Sequence, residues 1–195
     1  MFNRALFPND SVVFDMLVVQ KVNVIGTTGS GKSTFSELLA NKIDCPYIQM
    51  DQLFWKPDWV ESTDDEFISK VKNAVSGRSW VLDGNYSRTN DIKWENVDTI
   101  IWLDYSYTRT LLQLFMRTVT RTLSKQELWP GTGNKESFGR SFMSRTSIFL
   151  WFFKSYKNNR MRYLKLMDSS GLKDVKFIRL RNPKEADQFI DRINA

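Results

Sequence analysis

The chain has 195 residues, 42% of them hydrophobic, which suits one compact domain and excludes a disordered chain. It has no histidine, which excludes histidine general bases and histidine metal ligands. Its single cysteine excludes an intrachain disulfide and is typical of a reducing cytoplasm. The net charge of +6 favours a polyanionic partner, and both a nucleotide and a nucleic acid qualify.

Residues 1–20 come first, and we expect them to form an arm outside the main domain. Asp10 and Asp15 interrupt the apolar stretch and no small-residue cleavage site follows, so the pattern is not that of a signal peptide. A short extra strand, a loose arm and a product of start-site choice all fit this segment. No apolar run approaches the roughly 20 residues of a membrane span. We therefore expect a cytoplasmic protein whose residues 21–195 form one domain.

Apolar runs alternate with helical patterns through the rest of the chain. Five strands are predicted, at Lys21–Ile25, Tyr47–Met50, Trp80–Leu82, Thr99–Leu103 and Lys176–Leu180. Helices are predicted at Ser33–Lys42, at Thr63–Ser76 with a Thr63/Glu66 capping box, at Tyr107–Ser124, and after an Asn182 cap with Pro183 at the first position. This alternation predicts an α/β fold, in which a parallel sheet is covered by helices on both faces.

A glycine-rich motif joins the first strand to the first helix. It fits G-x-x-x-x-G-K-[ST] at every fixed position and spans Gly26, Thr27, Thr28, Gly29, Ser30, Gly31, Lys32, Ser33 and Thr34. The glycines let the backbone wrap so that its N–H groups point at phosphate oxygens. Lys32 is predicted to reach the β- and γ-phosphates, and the Ser33 hydroxyl to bind Mg²⁺. The motif therefore predicts a P-loop protein that binds ATP and Mg²⁺.

Three predicted strands are followed by aspartate, at Asp51, Asp83 and Asp104. In an open parallel sheet the ligand lies at the carboxyl ends of the strands, so these carboxylates could serve magnesium and an acceptor. Strand-terminal aspartates also cap turns and helices, and of the three we expect a structural role first for Asp104. Asp51 could orient or deprotonate an acceptor hydroxyl, whereas a phosphate acceptor would need no base.

An aromatic loop follows the second strand. Phe54, Trp55 and Trp59 could stack on a planar acceptor, or they could be ordinary packing residues that anchor the loop. The sequence leaves both roles open.

About seventy residues separate the fourth and fifth predicted strands, far more than the roughly 10–12 that a crossover requires. They include a Pro130–Asn134 turn and a helical pattern from about Phe138 to Met167. The segment from Tyr105 to Lys165 carries twelve Lys/Arg and two Glu, a net charge of +10. We predict a basic helical lid at about residues 125–168 that closes over the phosphates. Its candidate hinges are Gly131, Gly133 and Gly139.

Three segments carry a resemblance to a known family: Met50–Val60, Asp83–Arg88 and Glu127–Trp129. They are similar to adenylate-kinase-related P-loop proteins of bacteria, including those labelled "DNA topology modulation protein". The strand that ends in Asp83-Gly84, with an arginine following, resembles adenylate kinases themselves. The proline of the adenylate-kinase Asp-Gly-x-Pro-Arg segment is absent, however, and no AMP-binding pattern follows the second strand.

The resemblance implies a nucleoside-monophosphate-kinase-like fold, with a five-stranded parallel sheet of order 2-3-1-4-5 and a helical lid. It also implies that Asp83 lies near magnesium and Arg88 near the acceptor, and that Arg140 and Arg145 are lid arginines. Arg117 and Arg121 lie four residues apart on one helix face, where both could point at the nucleotide.

Two functions fit these features. The first is an ATP-dependent phosphotransferase that acts on a small molecule or a nucleotide. The second is a P-loop ATPase or regulator that binds nucleic acid through the basic helical segment, in which aromatic residues are interleaved with Lys and Arg. No helix-turn-helix, zinc-finger or RNA-binding signature accompanies that segment, so the first function is favoured.

Overall fold

The computed structural model describes residues 19–124, 126–136, 147–168 and 174–193. Within these ranges the chain folds into five strands and seven α-helices, with two short 3₁₀ turns at Pro57–Trp59 and Ser87–Thr89. The strands are β1 (Lys21–Gly26), β2 (Tyr47–Gln49), β3 (Trp80–Asp83), β4 (Thr99–Leu103) and β5 (Lys176–Leu180). The helices are α1 (Lys32–Lys42), α2 (Met50–Phe54), α3 (Asp64–Ala74), α4 (Asn90–Lys93), α5 (Tyr107–Ser124), α6 (Ile148–Met167) and α7 (Pro183–Arg192). None of the helices in this part of the chain is long and apolar enough to cross a lipid bilayer.

The five strands form one parallel sheet in the order β2-β3-β1-β4-β5, which confirms the predicted fold class and strand order. In the register of the sheet, Val24 of β1 lies opposite Asp83, and Gly26 lies opposite Leu103 of β4. The carboxyl ends of β1, β3 and β4 therefore meet at one edge of the sheet. The prediction that the strand-end aspartates share a site depends on this arrangement.

The predicted helices agree closely with the structure. α5 has the predicted bounds, and α1 begins one residue earlier than predicted. The Thr63/Glu66 capping box starts α3, and Asn182 caps α7 with Pro183 at its first position. The short helices α2 and α4 were not predicted, because four or five residues are too few to show a helical period.

Two apolar layers hold helices against the sheet. On one face, Phe35 of α1 packs on Phe189 of α7, with their ring centroids 6.1 Å apart. On the other face, Trp80 and Trp102 are almost fully buried beneath α3 and α6.

Helix α6 belongs to this second layer, although the sequence assigned it to the lid. Tyr163 is buried with its ring 5.5 Å from that of Trp102, and Arg160 pairs with Asp104 at 3.1 Å. Closure of a lid at about residues 125–168 stays a prediction, and α6 packs on the sheet in this structure. Arg140, Arg145 and the hinge candidate Gly139 lie outside the described residues.

Candidate functional site

The phosphate loop between β1 and α1 is shaped by its glycines. Gly29 and Gly31 have φ values of 83° and 86°, in the left-handed region that favours glycine. A Cβ atom on Gly29 would lie 2.7 Å from Leu114 Cβ and 2.9 Å from the carbonyl oxygen of Thr110, so α5 lies directly against the loop. Gly31 occupies the N-cap of α1, which leaves the positive end of that helix facing the loop.

Lys32 reaches back over this loop. Its Nζ donates to the carbonyl oxygen of Thr27 at 3.2 Å. Burial lowers the pKa of Lys32, while the charges of Asp83 and Asp51 oppose that shift. The ammonium group is therefore partly desolvated and faces two carboxylates, a setting in which its attraction for a phosphate is strengthened.

Asp83, at the end of β3, stands beside Ser33. The Ser33 hydroxyl donates to Asp83 Oδ2 at 2.6 Å, and the Tyr47 hydroxyl donates to the same oxygen at 3.3 Å. The second carboxylate oxygen, Oδ1, is buried and has no hydrogen-bond partner. Burial raises the pKa of Asp83, and Lys32 and the Ser33 hydrogen bond oppose that rise.

This donor set fits a hydrated Mg²⁺ ion. Mg²⁺ prefers oxygen ligands and keeps several waters, so it is held by one or two protein oxygens together with substrate phosphates. The partnerless Asp83 Oδ1 and the adjacent Ser33 hydroxyl supply that number of oxygens. No group of three or more His, Cys, Asp or Glu able to hold a metal alone occurs among the described residues.

Asp51 lies in α2, within electrostatic reach of Lys32 and Asp83. The Tyr86 hydroxyl donates to Asp51 Oδ1 at 2.7 Å and fixes the direction of the carboxylate. The Asp51 charge acts on both Lys32 and Asp83, so the three groups share one electrostatic environment. The structure thus brings Lys32, Ser33, Asp51 and Asp83 together.

The two α5 arginines have different surroundings. Arg117 has a buried Nε atom without a hydrogen-bond partner, and its pKa is lowered by burial and by Arg121. Arg121 donates to Glu136 at 3.1 Å and so ties α5 to the turn that follows it. Arg117 therefore has donor capacity to offer a ligand, whereas Arg121 is already paired.

Arg88, expected near the acceptor, has its guanidinium packed against aromatic rings. Its guanidinium lies 4.8 Å from the Phe54 ring centroid and 5.1 Å from that of Phe67. It also pairs with Asp64 at 2.7 Å. Arg88 is half-exposed and only its Nη1 is paired with Asp64, so further N–H groups remain available for an acceptor.

The aromatic loop divides into a packed part and an open part. Phe54 is only 6% exposed and packs on Phe67 and Tyr86, which does not fit its predicted role as a stacking surface. Trp55 and Trp59 are half-buried, with ring centroids 5.5 Å apart. Stacking on an acceptor stays a prediction for these two tryptophans.

Residues 126–136, which begin the predicted lid, are fastened to this loop. Asn134 is fully buried, accepts from the Trp59 N–H at 2.8 Å and donates to the carbonyl oxygen of Lys56 at 3.0 Å. Trp129 donates from Nε1 to Gln49 Oε1 at 3.1 Å. The turn and the aromatic loop are therefore joined by hydrogen bonds.

Three site residues were missed from the sequence: Tyr47, Tyr86 and Asn85. The Asn85 side chain donates to the Gly26 carbonyl at 2.6 Å and accepts from the Gly26 N–H at 3.1 Å, so it holds the first glycine of the phosphate loop. The only sequence signal for Asn85 was its position directly after Asp83-Gly84. Asp104, by contrast, has the structural role that the sequence favoured, because it binds Arg160 and Arg179.

No protein-family model matches the chain. Over 73 residues it is 34% identical to a "Putative adenylate kinase" of Thermococcus onnurineus, an alignment that covers 34% of this chain and 41% of that relative's length.

Two solved kinase structures are similar across most of the chain. Shikimate kinase from Acinetobacter baumannii, in complex with shikimate, has a TM-score of 0.54 and 12% identity over 90% of each chain. A gluconokinase from Sinorhizobium meliloti has a TM-score of 0.47 and 16% identity over 89% of this chain and 93% of its own. The likeness to shikimate kinase, together with the strand order of the sheet, shows that the chain has the fold of the P-loop kinases.

Proposed function

We propose that the chain is an ATP-dependent phosphotransferase that transfers the γ-phosphate of ATP to a small-molecule or nucleotide acceptor. The observation that carries the proposal is the contact between Ser33 and Asp83, with a partnerless carboxylate oxygen and Lys32 beside it. Phosphoryl transfer is catalysed mainly by positioning and by neutralising the charge on the moving group, and this cleft holds the groups for both tasks.

Each residue has a task in this scheme. The phosphate loop and Lys32 bind the β- and γ-phosphates, and Ser33 and Asp83 hold Mg²⁺, which when bound neutralises phosphate charge. Arg117, on whose charge Asp51 and Asp83 act, supplies an unpaired donor in our proposal. The lid arginines Arg140 and Arg145 complete the positive lining in our proposal.

Asp51 orients the acceptor and, where the acceptor is a hydroxyl, accepts its proton. The acceptor oxygen forms a bond to the γ-phosphorus while the bond to the β–γ bridging oxygen breaks, and ADP leaves. For a hydroxyl acceptor, the displaced proton passes to Asp51, whose carboxylate Tyr86 holds in place. For a phosphate acceptor no proton needs a base, and Asp51 then only orients the acceptor.

The nucleic-acid alternative draws less support from the described residues. Tyr156 donates to the carbonyl oxygen of Tyr105, Tyr163 is buried, and Arg160 pairs with Asp104. Tyr156 and Tyr163, two of the aromatic residues interleaved in the basic segment, thus make contacts inside the domain, whereas Arg160 is paired but exposed. Trp151 and Phe153 are exposed aromatic residues of α6 that could still stack on a base.

The proposal is tested by measuring ADP release with ATP, Mg²⁺ and a panel of nucleoside monophosphates, nucleosides, sugars and hydroxy acids. We expect one chemical class to stimulate ADP release, with an equal amount of phosphorylated acceptor formed. ADP release matched by inorganic phosphate, stimulated by nucleic acid and steeply weakened by salt, would instead establish the ATPase alternative.

A further inference from the structure

A second cavity lies between α4, α6 and the end of β1. Its volume is about 270 Å³, and its walls include Ile25, Asn85, Trp94, Arg162 and Lys165. Among the described residues, neither Lys32 nor Asp83 lines it, so it is separate from the cleft in which we place phosphoryl transfer. The volume is just below the ~300 Å³ at which drug-sized ligand pockets begin, which suits a small metabolite.

The α6 side of this cavity carries unbalanced positive charge. Arg162 and Lys165 lie three residues apart and so share one helix face. Arg162 lies with its guanidinium 4.9 Å from the Tyr163 ring centroid and donates one bond to the Tyr163 hydroxyl, which leaves further N–H groups available. Neither Arg162 nor Lys165 forms an ion pair within the described ranges.

A third cation lies close behind Arg162. Lys93 is fully buried, and its pKa is lowered first by burial and then by the charge of Arg162. The positive charge of Arg162 therefore acts as far as Lys93 on α4, and an anion bound in the cavity would offset it.

The opposite wall offers an acceptor and an apolar surface. Asn90 lines the cavity, and its Oδ1 atom is buried without a hydrogen-bond partner. A buried acceptor without a donor costs free energy that a ligand hydroxyl could recover. The Trp94 indole N–H is already used on Asn23 Oδ1 at 2.8 Å, so its ring contributes apolar surface together with Ile25 and Leu166.

We propose that this cavity binds a small hydroxylated phosphomonoester of the sugar-phosphate class. Arg162 and Lys165 bind the phosphate group, a hydroxyl donates to Asn90 Oδ1, and the carbon skeleton lies against Trp94. Because Asn85 also lines the cavity and holds Gly26, the ligand contacts the residue that fixes the phosphate loop.

The test follows the Trp94 indole N–H by nuclear magnetic resonance in the full chain, with the signal assigned by Trp94→Phe. Saturating Mg²⁺ and a non-hydrolysable ATP analogue fill the phosphate loop first. Ribose 5-phosphate is then titrated, with inorganic phosphate and ribose as separate arms. We expect a saturable shift with ribose 5-phosphate, and binding at least about tenfold weaker with either fragment.

Matched variants make the result specific. Arg162→Gln combined with Lys165→Gln should weaken binding at least about tenfold. Lys154→Gln combined with Lys157→Gln removes the same charge from exposed positions of the same helix and should leave binding unchanged. Asn90→Ala should reduce the preference for ribose 5-phosphate over inorganic phosphate.

Several results would overturn the inference. They are the absence of a shift at millimolar ligand, equal losses in the two charge-removal variants, and equal binding of inorganic phosphate. Consumption of ribose 5-phosphate with ATP would place the cavity in the acceptor site and would also overturn it. The readout needs no phosphoryl transfer, so its failure is distinguishable from failure of the proposed function.

Discussion

Gly29 of the phosphate loop and Leu114 of α5 approach so closely that a side chain on the glycine would overlap the leucine. An added Cβ would lie 2.7 Å from Leu114 Cβ, and the Gly29 φ of 83° is already unfavourable for other residues. The conformation of the phosphate loop therefore depends on α5, the helix that also carries Arg117.

Gly29→Ala should destabilise the phosphate loop by more than the cost of a positive φ at an alanine, because the new Cβ would also overlap Leu114. Gly131→Ala is the matched control, since Gly131 has a φ of 80° but no atom within 4 Å of an added Cβ. The control should lose about 1–2 kcal/mol of unfolding free energy. Gly29→Ala should lose more and bind the ATP analogue at least about tenfold more weakly, measured by urea unfolding and calorimetry. Equal effects of the two substitutions on both measurements would contradict this contact.

Asp83→Asn should affect metal-dependent steps selectively. The amide oxygen can still accept the Ser33 hydrogen bond, but the charge that attracts Mg²⁺ is gone. We expect ATP affinity in the presence of Mg²⁺ to fall at least about tenfold, and metal-free affinity to change little. If both affinities fell equally, Asp83 would be a structural residue.

Lys93 should give stability an unusual dependence on pH. Burial, together with Arg162, lowers its pKa from 10.5 to about 7 in the folded protein. Between these values the unfolded chain binds more protons, so Lys93 makes the unfolding free energy rise with pH. Lys93→Met should remove that slope and stabilise the protein at neutral pH by about 1–3 kcal/mol, measured by denaturant unfolding across the range.

The control for this experiment is Lys157→Met, which changes an exposed lysine of α6. It should keep the wild-type slope. Curves for Lys93→Met and wild type that run parallel over the same pH range would show that Lys93 titrates as an ordinary lysine.

Arg140→Ala combined with Arg145→Ala should lower turnover more than it raises the nucleotide dissociation constant. The physical reason is that contacts made only in a closed state stabilise the transition state more than the bound substrate. Steady-state kinetics and nucleotide binding measured on one preparation separate the two effects. An increase in the dissociation constant as large as the loss of turnover would indicate simple ground-state binding.

The sequence was most informative where the signal was local. The phosphate-loop motif, the apolar strands and the bounds of α5 all follow from short-range patterns, and the strand order followed from the family resemblance. The contacts that complete the site join residues far apart in the chain. Asn85 and Gly26 are 59 positions apart, and Tyr47 and Asp83 are 36 apart, so neither pair has a spacing that a sequence pattern can reveal.

The role of α6 was misjudged for a related reason. Its Lys and Arg residues are exposed, as a solvated basic face predicts, but the packing of the other face was not foreseen: Tyr163 is buried against Trp102, and Arg160 pairs with Asp104 from β4. Phe54 was likewise placed at the acceptor, although it packs beneath Arg88. In both cases the partner comes from a distant element, and the sequence of the helix or loop alone does not contain it.

The most direct test of the central claim compares Lys32→Ala with Lys42→Ala in the acceptor-dependent ADP-release assay. Both changes remove one positive charge from α1, but Lys32 lies in the phosphate loop and Lys42 is exposed at the far end of the helix. We predict that Lys42→Ala keeps wild-type turnover and that Lys32→Ala, correctly folded, keeps less than about a tenth of it. Turnover of Lys32→Ala above that fraction would contradict phosphoryl transfer at this loop.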